Sequence, residues 1–181
     1  VLNPHDFGRD GAIDISGAGA TYLVAKALNP KNADLSSLAV VGAVGDLQDV
    51  RHRRLVGTNE MILDDAVNAK VVERLIDLRF FGRESRPLIK FLQYANDPPI
   101  PRLYENEEAC TDFLIDLGIN LVDGDKWRSW TDLKTFEKRL IVSELVSLLL
   151  QAGSRGATAE RLIGEVYILS REEGMLRDSK E

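Results

Sequence analysis

The sequence predicts a mainly α-helical chain with a few β-strands. Helix-capping residues stand ahead of most apolar segments, and the longest of these segments has helical spacing. Runs rich in β-branched residues are few and short. Of the 181 residues, 44% are hydrophobic and 29% are charged, so the chain contains enough apolar material for a sizeable core.

Two helices are predicted before residue 57. Ser16 is a good N-cap for a helix over residues 16–28, which Asn29-Pro30 ends. The apolar run over residues 35–45 fits either a buried helix or a buried strand, because its period does not decide between them. Asp34-Leu35-Ser36-Ser37 can cap this run, which favours the helix.

The segment over residues 58–155 is charged and carries most of the aromatic residues. Thr58 is predicted to cap a short helix, and a strand is predicted over residues 71–81. Pro87 suits the first position of a helix that reaches residue 94 or 95. The proline-rich residues 96–101 then form a stiff loop that cannot be helical.

Two further helices are predicted in this segment. Asn106 caps the first, which runs to Leu117 and has Gly118 after its end. Thr131 caps the longest helix, which ends near residue 151 and is closed by Gly153. Its apolar residues share one wide face: Leu133, Phe136, Leu140, Ile141, Leu145, Leu148 and Leu149. A short helix over residues 159–163 and a strand over residues 166–169 follow.

Charge and composition limit the classes of function. The net charge is -6, whereas a protein that binds a phosphate backbone over its whole surface is basic, so any nucleic-acid contact should be local or outside this chain. Cys110 is the single cysteine, which argues against a disulfide framework or a zinc site and favours a cytoplasmic location. His5 and His52 have no Ser or Cys at a catalytic spacing. No apolar run approaches the roughly 20 residues that cross a bilayer, and both ends resemble cuts from a longer chain.

Carboxylates occur in two unusual surroundings in the first segment. Residues 6–14 form a loop dense in glycine and carboxylate, although its spacing does not match a calcium-binding EF-hand. Asp46 ends the apolar run, where a carboxylate at the edge of a core can bind a hard divalent cation or simply terminate a helix. Gly17 and Gly19 either free backbone N–H groups for an anion or allow close helix packing.

Three motifs of the first segment together resemble a known family: Asn3-Pro4-His5, Ser16-Gly17-Ala18-Gly19 and Gly42-Ala43-Val44-Gly45-Asp46. They are similar to the closing part of the α/β DHH phosphoesterase domain of RecJ-type exonucleases. The resemblance implies that Asp46 is a catalytic residue and a ligand of Mn²⁺ or Mg²⁺. The family's Asp-x-Asp, second-motif Asp and Asp-His-His motifs are absent from this chain.

Four motifs of the middle segment resemble the insert of archaeal RecJ-like enzymes, some of which are called GINS-associated nucleases. They are Phe81-Gly82-Arg83-Glu84-Ser85-Arg86-Pro87-Leu88, Asp97-Pro98-Pro99-Ile100-Pro101, Asn106-Glu107-Glu108-Ala109-Cys110 and Asp123-Gly124-Asp125-Lys126-Trp127-Arg128. Residues 164–171 resemble the entry to the following DHHA1 domain. The resemblance implies the end of a DHH domain over residues 1–57, an α-rich insert over 58–155, and a linker with the start of DHHA1 over 156–181.

The resemblance implies part of a metal-dependent exonuclease that cuts single-stranded DNA, or RNA, by a two-metal mechanism. One metal ligand is too few, so the chain alone should be inactive. The insert should bind the GINS replication complex through aromatic residues, each of which could instead be a core residue. These residues are Phe80, Phe81, Phe91, Tyr94 and Tyr104. The alternatives are a non-catalytic replication scaffold and a DHH phosphoesterase that acts on short oligonucleotides.

Overall fold

The computed structural model describes residues 3–153 and 160–170, and about half of these residues are helical, with a few short strands. The α-helices of that part are α1 (Gly17–Leu28), α2 (Ser36–Gly45), α3 (Thr58–Asn68), α4 (Leu88–Gln93), α5 (Glu107–Asp116) and α6 (Thr135–Gln151). The strands are β1 (Val72–Leu78), β2 (Val122–Asp123), β3 (Lys126–Trp127) and β4 (Ile163–Leu169). Short 3-10 helices span Pro4–Phe7, Pro30–Leu35, Trp130–Asp132 and Glu160–Leu162.

The chain forms two compact units. The first contains the described residues up to Asp77 and from Glu165 onward, and the second is Leu78–Gly164. Strand β1 pairs with β4, and β2 pairs with β3 in an antiparallel hairpin. The chain leaves the first unit at the end of β1 and returns to it within β4. The domain boundaries predicted after residues 57 and 155 stay predictions, and these compact units divide the chain at other positions.

Helices α1, α2 and α3 pack together in the first unit. Their shared core comprises Tyr22, Ala39, Val40, Ala43, Leu55, Ile62, Leu63, Ala66 and Val72. The Tyr22 hydroxyl donates to Asp65 at 2.9 Å, and burial together with this carboxylate raises the pKa of Tyr22 to about 12. A Cβ added at Gly42 would collide with Ala18, so glycine in α2 allows α1 to approach closely.

The core of the second unit is built around three aromatic rings. Phe91 lies 5.5 Å from Phe80 and 5.4 Å from Trp130 between ring centroids, and all three side chains are buried. The thiol of Cys110 is also buried and donates to the Leu103 carbonyl at 3.2 Å. Burial raises the pKa of this thiol to about 11, so Cys110 is a packing residue at neutral pH.

Several predicted elements are confirmed. Ser16 caps α1 by accepting from the Gly19 N–H at 3.0 Å, and the ambiguous apolar run is the helix α2. Asn106 caps α5 by accepting from the Ala109 N–H at 3.1 Å. The predicted strand over residues 71–81 is observed as β1. Side-chain caps therefore locate the starts of α1 and α5, whereas the predicted cap of α2 is wrong, because α2 begins after Leu35 with no side-chain hydrogen bond to its first turn.

The predicted start of the longest helix is wrong. Thr131 lies in a separate 3-10 turn that Ser129 begins, and α6 starts at Thr135 after Lys134. The predicted wide apolar face is also narrower, because Phe136 is 66% exposed while the buried positions of α6 follow a four-residue spacing. These buried positions are Glu137, Ile141, Leu145 and Leu149.

Three other predicted ends shift. Gly57, not Thr58, is the N-cap of α3, and Pro87 precedes α4 as its N-cap. The helix predicted over residues 159–163 is the 3-10 helix Glu160–Leu162, and Ala159 lies outside the described residues.

Candidate functional site

Asp46, the predicted metal ligand, directly follows the last residue of α2. The helix ends in a Schellman turn: the Leu47 N–H donates to the Val44 carbonyl at 3.0 Å, and the Gln48 N–H donates to the Ala43 carbonyl at 3.1 Å. The Asp46 side chain is exposed and makes no hydrogen bond or ion pair within residues 3–153 and 160–170. Its carboxylate is therefore open to a cation while its backbone is fixed by the turn.

A buried polar network holds this turn in place. Gln48 is 2% exposed, donates to the Gly11 carbonyl at 2.9 Å and accepts from the Asn59 amide at 2.6 Å. Asn59, on α3, also accepts from the Ser16 N–H at 3.4 Å. A buried polar group left unpaired costs about 1–3 kcal/mol, so the network favours one arrangement. It ties the end of α2 to α3 and to the loop before α1.

The carboxylate-rich loop over residues 6–14 has a structural role. Asp14 accepts from the N–H of Thr58, the first residue of α3, at 2.7 Å, and it pairs with Arg9 at 3.5 Å. A Cβ added at Gly57, where φ is +61°, would collide with the Asp14 carboxylate. Asp14 therefore caps the α3 N-terminus from a distant part of the chain, and these contacts favour a capping role over the calcium alternative.

The Asn-Pro-His and Ser-Gly-x-Gly motifs meet at one depression in the first unit. It encloses about 580 Å³, and its lining includes Asn3, His5 and Gly17, but not Asp46. A Cβ added at Gly17 would meet nothing within 4 Å, whereas one added at Gly19 would lie 3.0 Å from a side chain of α3. Close packing therefore accounts for Gly19, and the N-terminus of α1 is open at Gly17.

The metal chemistry of the described residues is limited. No three His, Cys, Asp or Glu side chains within residues 3–153 and 160–170 are grouped so that they could hold a metal ion. Asp46 offers carboxylate oxygens, which suit Mg²⁺ and Mn²⁺, but one carboxylate does not hold a cation alone. The position of Asp46 is therefore compatible with one ligand of a metal centre whose other ligands lie elsewhere.

The five aromatic candidates for partner binding divide into buried and exposed residues. Phe80 and Phe91 are 5% and 0% exposed and belong to the core of the second unit, so they present no surface to a partner in this structure. Tyr104 is 41% exposed and lies beside Glu105, whose carboxylate raises the pKa of the Tyr104 phenol.

Phe81 and Tyr94 form an exposed cation–aromatic surface with Arg86 and Lys90. The Arg86 guanidinium lies 4.9 Å from the Phe81 ring centroid and 5.3 Å from that of Tyr94, and Lys90 Nζ lies 5.9 Å from the Tyr94 centroid. Phe81 is 79% exposed and Tyr94 is 50% exposed. We call these four residues the Arg86 platform. Arg86 and Lys90 are partly buried, and the two exposed rings suit contact with a partner.

The Gln48–Asn59 hydrogen bond was missed by sequence reasoning. Asn59 occupies an apolar-face position of α3, spaced three, four and seven residues before buried side chains. Those side chains are Ile62, Leu63 and Ala66. An amide on such a face is the signal that could have revealed it, because a buried amide requires partners.

Residues 80–163 match the family model of the DHH-CID domain. The matched range corresponds closely to the second compact unit, Leu78–Gly164. The match points to the DHH family, whose members are phosphoesterases, and it supports the predicted relationship for this segment of the chain.

The chain is 36% identical over 119 residues to an uncharacterized protein of Methanocaldococcus jannaschii. The alignment covers 66% of this chain and 26% of the relative. The chain therefore spans about a quarter of the length of the curated relative that it matches.

Within residues 3–153 and 160–170, no helix combines the length and apolar character that a membrane crossing requires.

Proposed function

We propose that this chain is part of a longer cytoplasmic DHH-family phosphoesterase, and that the longer enzyme is a single-strand-specific exonuclease for DNA or RNA. The proposal depends on one observation, which is the exposure of the Asp46 carboxylate at a fixed turn. It is exposed and unpaired within the described residues, while the turn that carries it is fixed by buried hydrogen bonds. A carboxylate on a fixed backbone, with both oxygens free of other partners, is available to bind a metal ion.

In this proposal Asp46 contributes one ligand to a pair of Mn²⁺ or Mg²⁺ ions, which would activate water and stabilise charge on the phosphate. The protein's own part is positional. The Schellman turn sets the Asp46 backbone, and the Gln48–Asn59 hydrogen bond holds that turn against α3. The remaining ligands would come from residues outside this chain, so the chain by itself should not cleave nucleic acid.

Hydrolysis assays on the longer protein test this proposal. We expect Asp46→Ala to remove most activity toward single-stranded DNA or RNA, because a two-metal centre does not tolerate the loss of a ligand carboxylate. Asp34→Ala is the matched control, since Asp34 is an exposed carboxylate just before the opposite end of α2. Full activity in Asp46→Ala would remove this residue from the centre. A preference for oligonucleotides of a few residues over long strands would favour the short-substrate phosphoesterase.

A second candidate function is docking of the GINS complex by the second unit. The Arg86 platform supports it, because two exposed aromatic side chains lie against two partly buried cations. A pull-down with purified GINS tests it: we expect Phe81→Ala with Tyr94→Ala to weaken binding. Phe136→Ala is the control, since Phe136 is 66% exposed elsewhere on the same unit. Unchanged binding of GINS by the double variant would show that the Arg86 platform is not the GINS-binding surface.

A further inference from the structure

A groove of about 280 Å³ lies between α5 and α6 in the second unit. Helix α5 lines it with one face, which includes the partly buried Phe113 and Leu117, and α6 contributes the partly buried Leu148. The apolar base of the groove is thus built from side chains that pack on the core but keep part of their surface open.

Carboxylates surround this apolar base. Asp112 and Asp116 project from α5 and Glu144 from α6, and none of the three makes an ion pair or hydrogen bond within the described residues. Arg102 is the basic residue of the lining. Three carboxylates and one guanidinium give the lining a net charge of -2, so the groove favours a basic partner.

The volume of the groove indicates what kind of ligand it can hold. Pockets for small-molecule ligands enclose about 300–1,000 Å³, so this groove is at the lower limit and suits a few side chains of a peptide. The lining positions on α5 are spaced three, four, seven and eight residues apart along two helical turns. An amphipathic helix places its apolar side chains at the same spacing, which lets it lie along such a face.

We propose that this groove binds a basic amphipathic helix of a partner protein. Apolar side chains one turn apart would contact Phe113, Leu117 and Leu148. Flanking lysine or arginine side chains would pair with Asp112, Asp116 and Glu144. A second copy of this chain is disfavoured as the occupant because each copy carries a net charge of -6.

Fluorescence anisotropy with the full 181-residue chain tests the proposal. The probe is a labelled synthetic helix with leucines at i, i+4 and i+7 and lysine or arginine on the flanks. Its control replaces every basic residue by glutamate. We expect the basic peptide to bind and the acidic peptide not to bind. Binding of the basic peptide should weaken strongly in 1 M salt, where the Debye length falls to about 3 Å.

A matched pair of charge variants locates the site. Asp112→Asn with Asp116→Asn should weaken binding of the basic peptide about three- to tenfold, since each exposed pair contributes modestly. Asp123→Asn with Asp125→Asn removes the same charge from the β2–β3 turn of the same unit and should leave binding unchanged. All four residues are exposed, so these variants should fold.

Three results would overturn the proposal. The basic peptide could fail to bind the chain, or the two double variants could weaken it equally, which would indicate non-specific attraction. Sedimentation could instead show that the chain forms dimers, with Asp112→Asn and Asp116→Asn dissociating them. In that case the groove would hold a second copy and not a partner helix.

Discussion

At the scale of single residues, Leu47 has a backbone conformation that favours glycine. Its φ is +58° at the position after the α2 cap, and its side chain is 69% exposed. A left-handed conformation costs a non-glycine residue about 1–2 kcal/mol, and the exposed side chain recovers little of this by packing. The strain lies directly beside Asp46, so it belongs to the turn that presents the carboxylate.

Replacing Leu47 should therefore show the strain. We expect Leu47→Gly to be neutral or to raise the free energy of unfolding by up to about 1 kcal/mol, because relief of strain outweighs the added freedom of the unfolded chain. Leu38→Gly is the control: Leu38 is 66% exposed within α2, and glycine there should cost about 1 kcal/mol. Urea unfolding measures both. An equal loss in the two variants would show that Leu47 is not strained.

A second single residue, Asp132, makes the free energy of unfolding depend on pH. Hydrogen bonds from the backbone and side chain of Ser129, at 2.7 and 2.8 Å, lower the pKa of Asp132 from 3.8 to about 2. A carboxyl group whose pKa is lower in the folded state stabilises the fold above its unfolded pKa. It loses that contribution as the pH falls from about 4 toward about 2.

Urea unfolding at a series of pH values between 5 and about 2 tests this effect. We expect the free energy of unfolding to fall less steeply in Asp132→Ala than in the unmodified chain. Asp125→Ala removes an exposed carboxylate that makes no hydrogen bond within the described residues, and its slope should match the unmodified chain. Identical slopes in all three proteins would contradict the role of the Ser129 hydrogen bonds.

At the scale of elements, a buried ion pair sets the start of α6. Arg128 donates to Glu137 at 2.8 and 3.0 Å, and these bonds lower the pKa of Glu137 and raise that of Arg128. Glu137 also accepts from the Lys134 N–H at 2.7 Å, which fixes the first turn of the helix. Both charged side chains are about 10% exposed, so the pair is largely removed from water.

Breaking this pair should destabilise the second unit. We expect Glu137→Gln to lower the free energy of unfolding by about 3 kcal/mol, since it leaves a buried guanidinium without its counter-charge. Lys126→Ala, which breaks an exposed pair with Asp132, should cost less than about 1 kcal/mol. Thermal unfolding compares the two variants. Similar losses would show that water screens the Arg128–Glu137 pair as well.

The same element shows where sequence reasoning was limited. The starts of α1 and α5 were predicted correctly because Ser16 and Asn106 cap them through contacts three residues away. Thr131 looked equally suitable, but Ser129 and Asp132 close a separate turn before α6. When several capping residues lie close together, the sequence does not reveal which one precedes the helix. Here the start of α6 is set by packing and by the hydrogen bonds that Glu137 accepts from Arg128 and Lys134.

At the scale of the whole molecule, the second unit was easier to predict than the site. Its family match over residues 80–163 corresponds closely to a compact unit with its own core. The position of Asp46 at the end of a helix could also be predicted, since an apolar run ends there. The Gln48–Asn59 network and the distant Asp14 cap could not, because both join residues that are far apart in sequence.

Manganese binding to the longer protein, followed by electron paramagnetic resonance of free Mn²⁺, tests the assignment of Asp46 most directly. We expect Asp46→Asn to weaken Mn²⁺ binding at least about tenfold and Asp34→Asn to leave it unchanged. Equal Mn²⁺ affinity in the unmodified protein and in both variants would contradict the claim that Asp46 is a metal ligand.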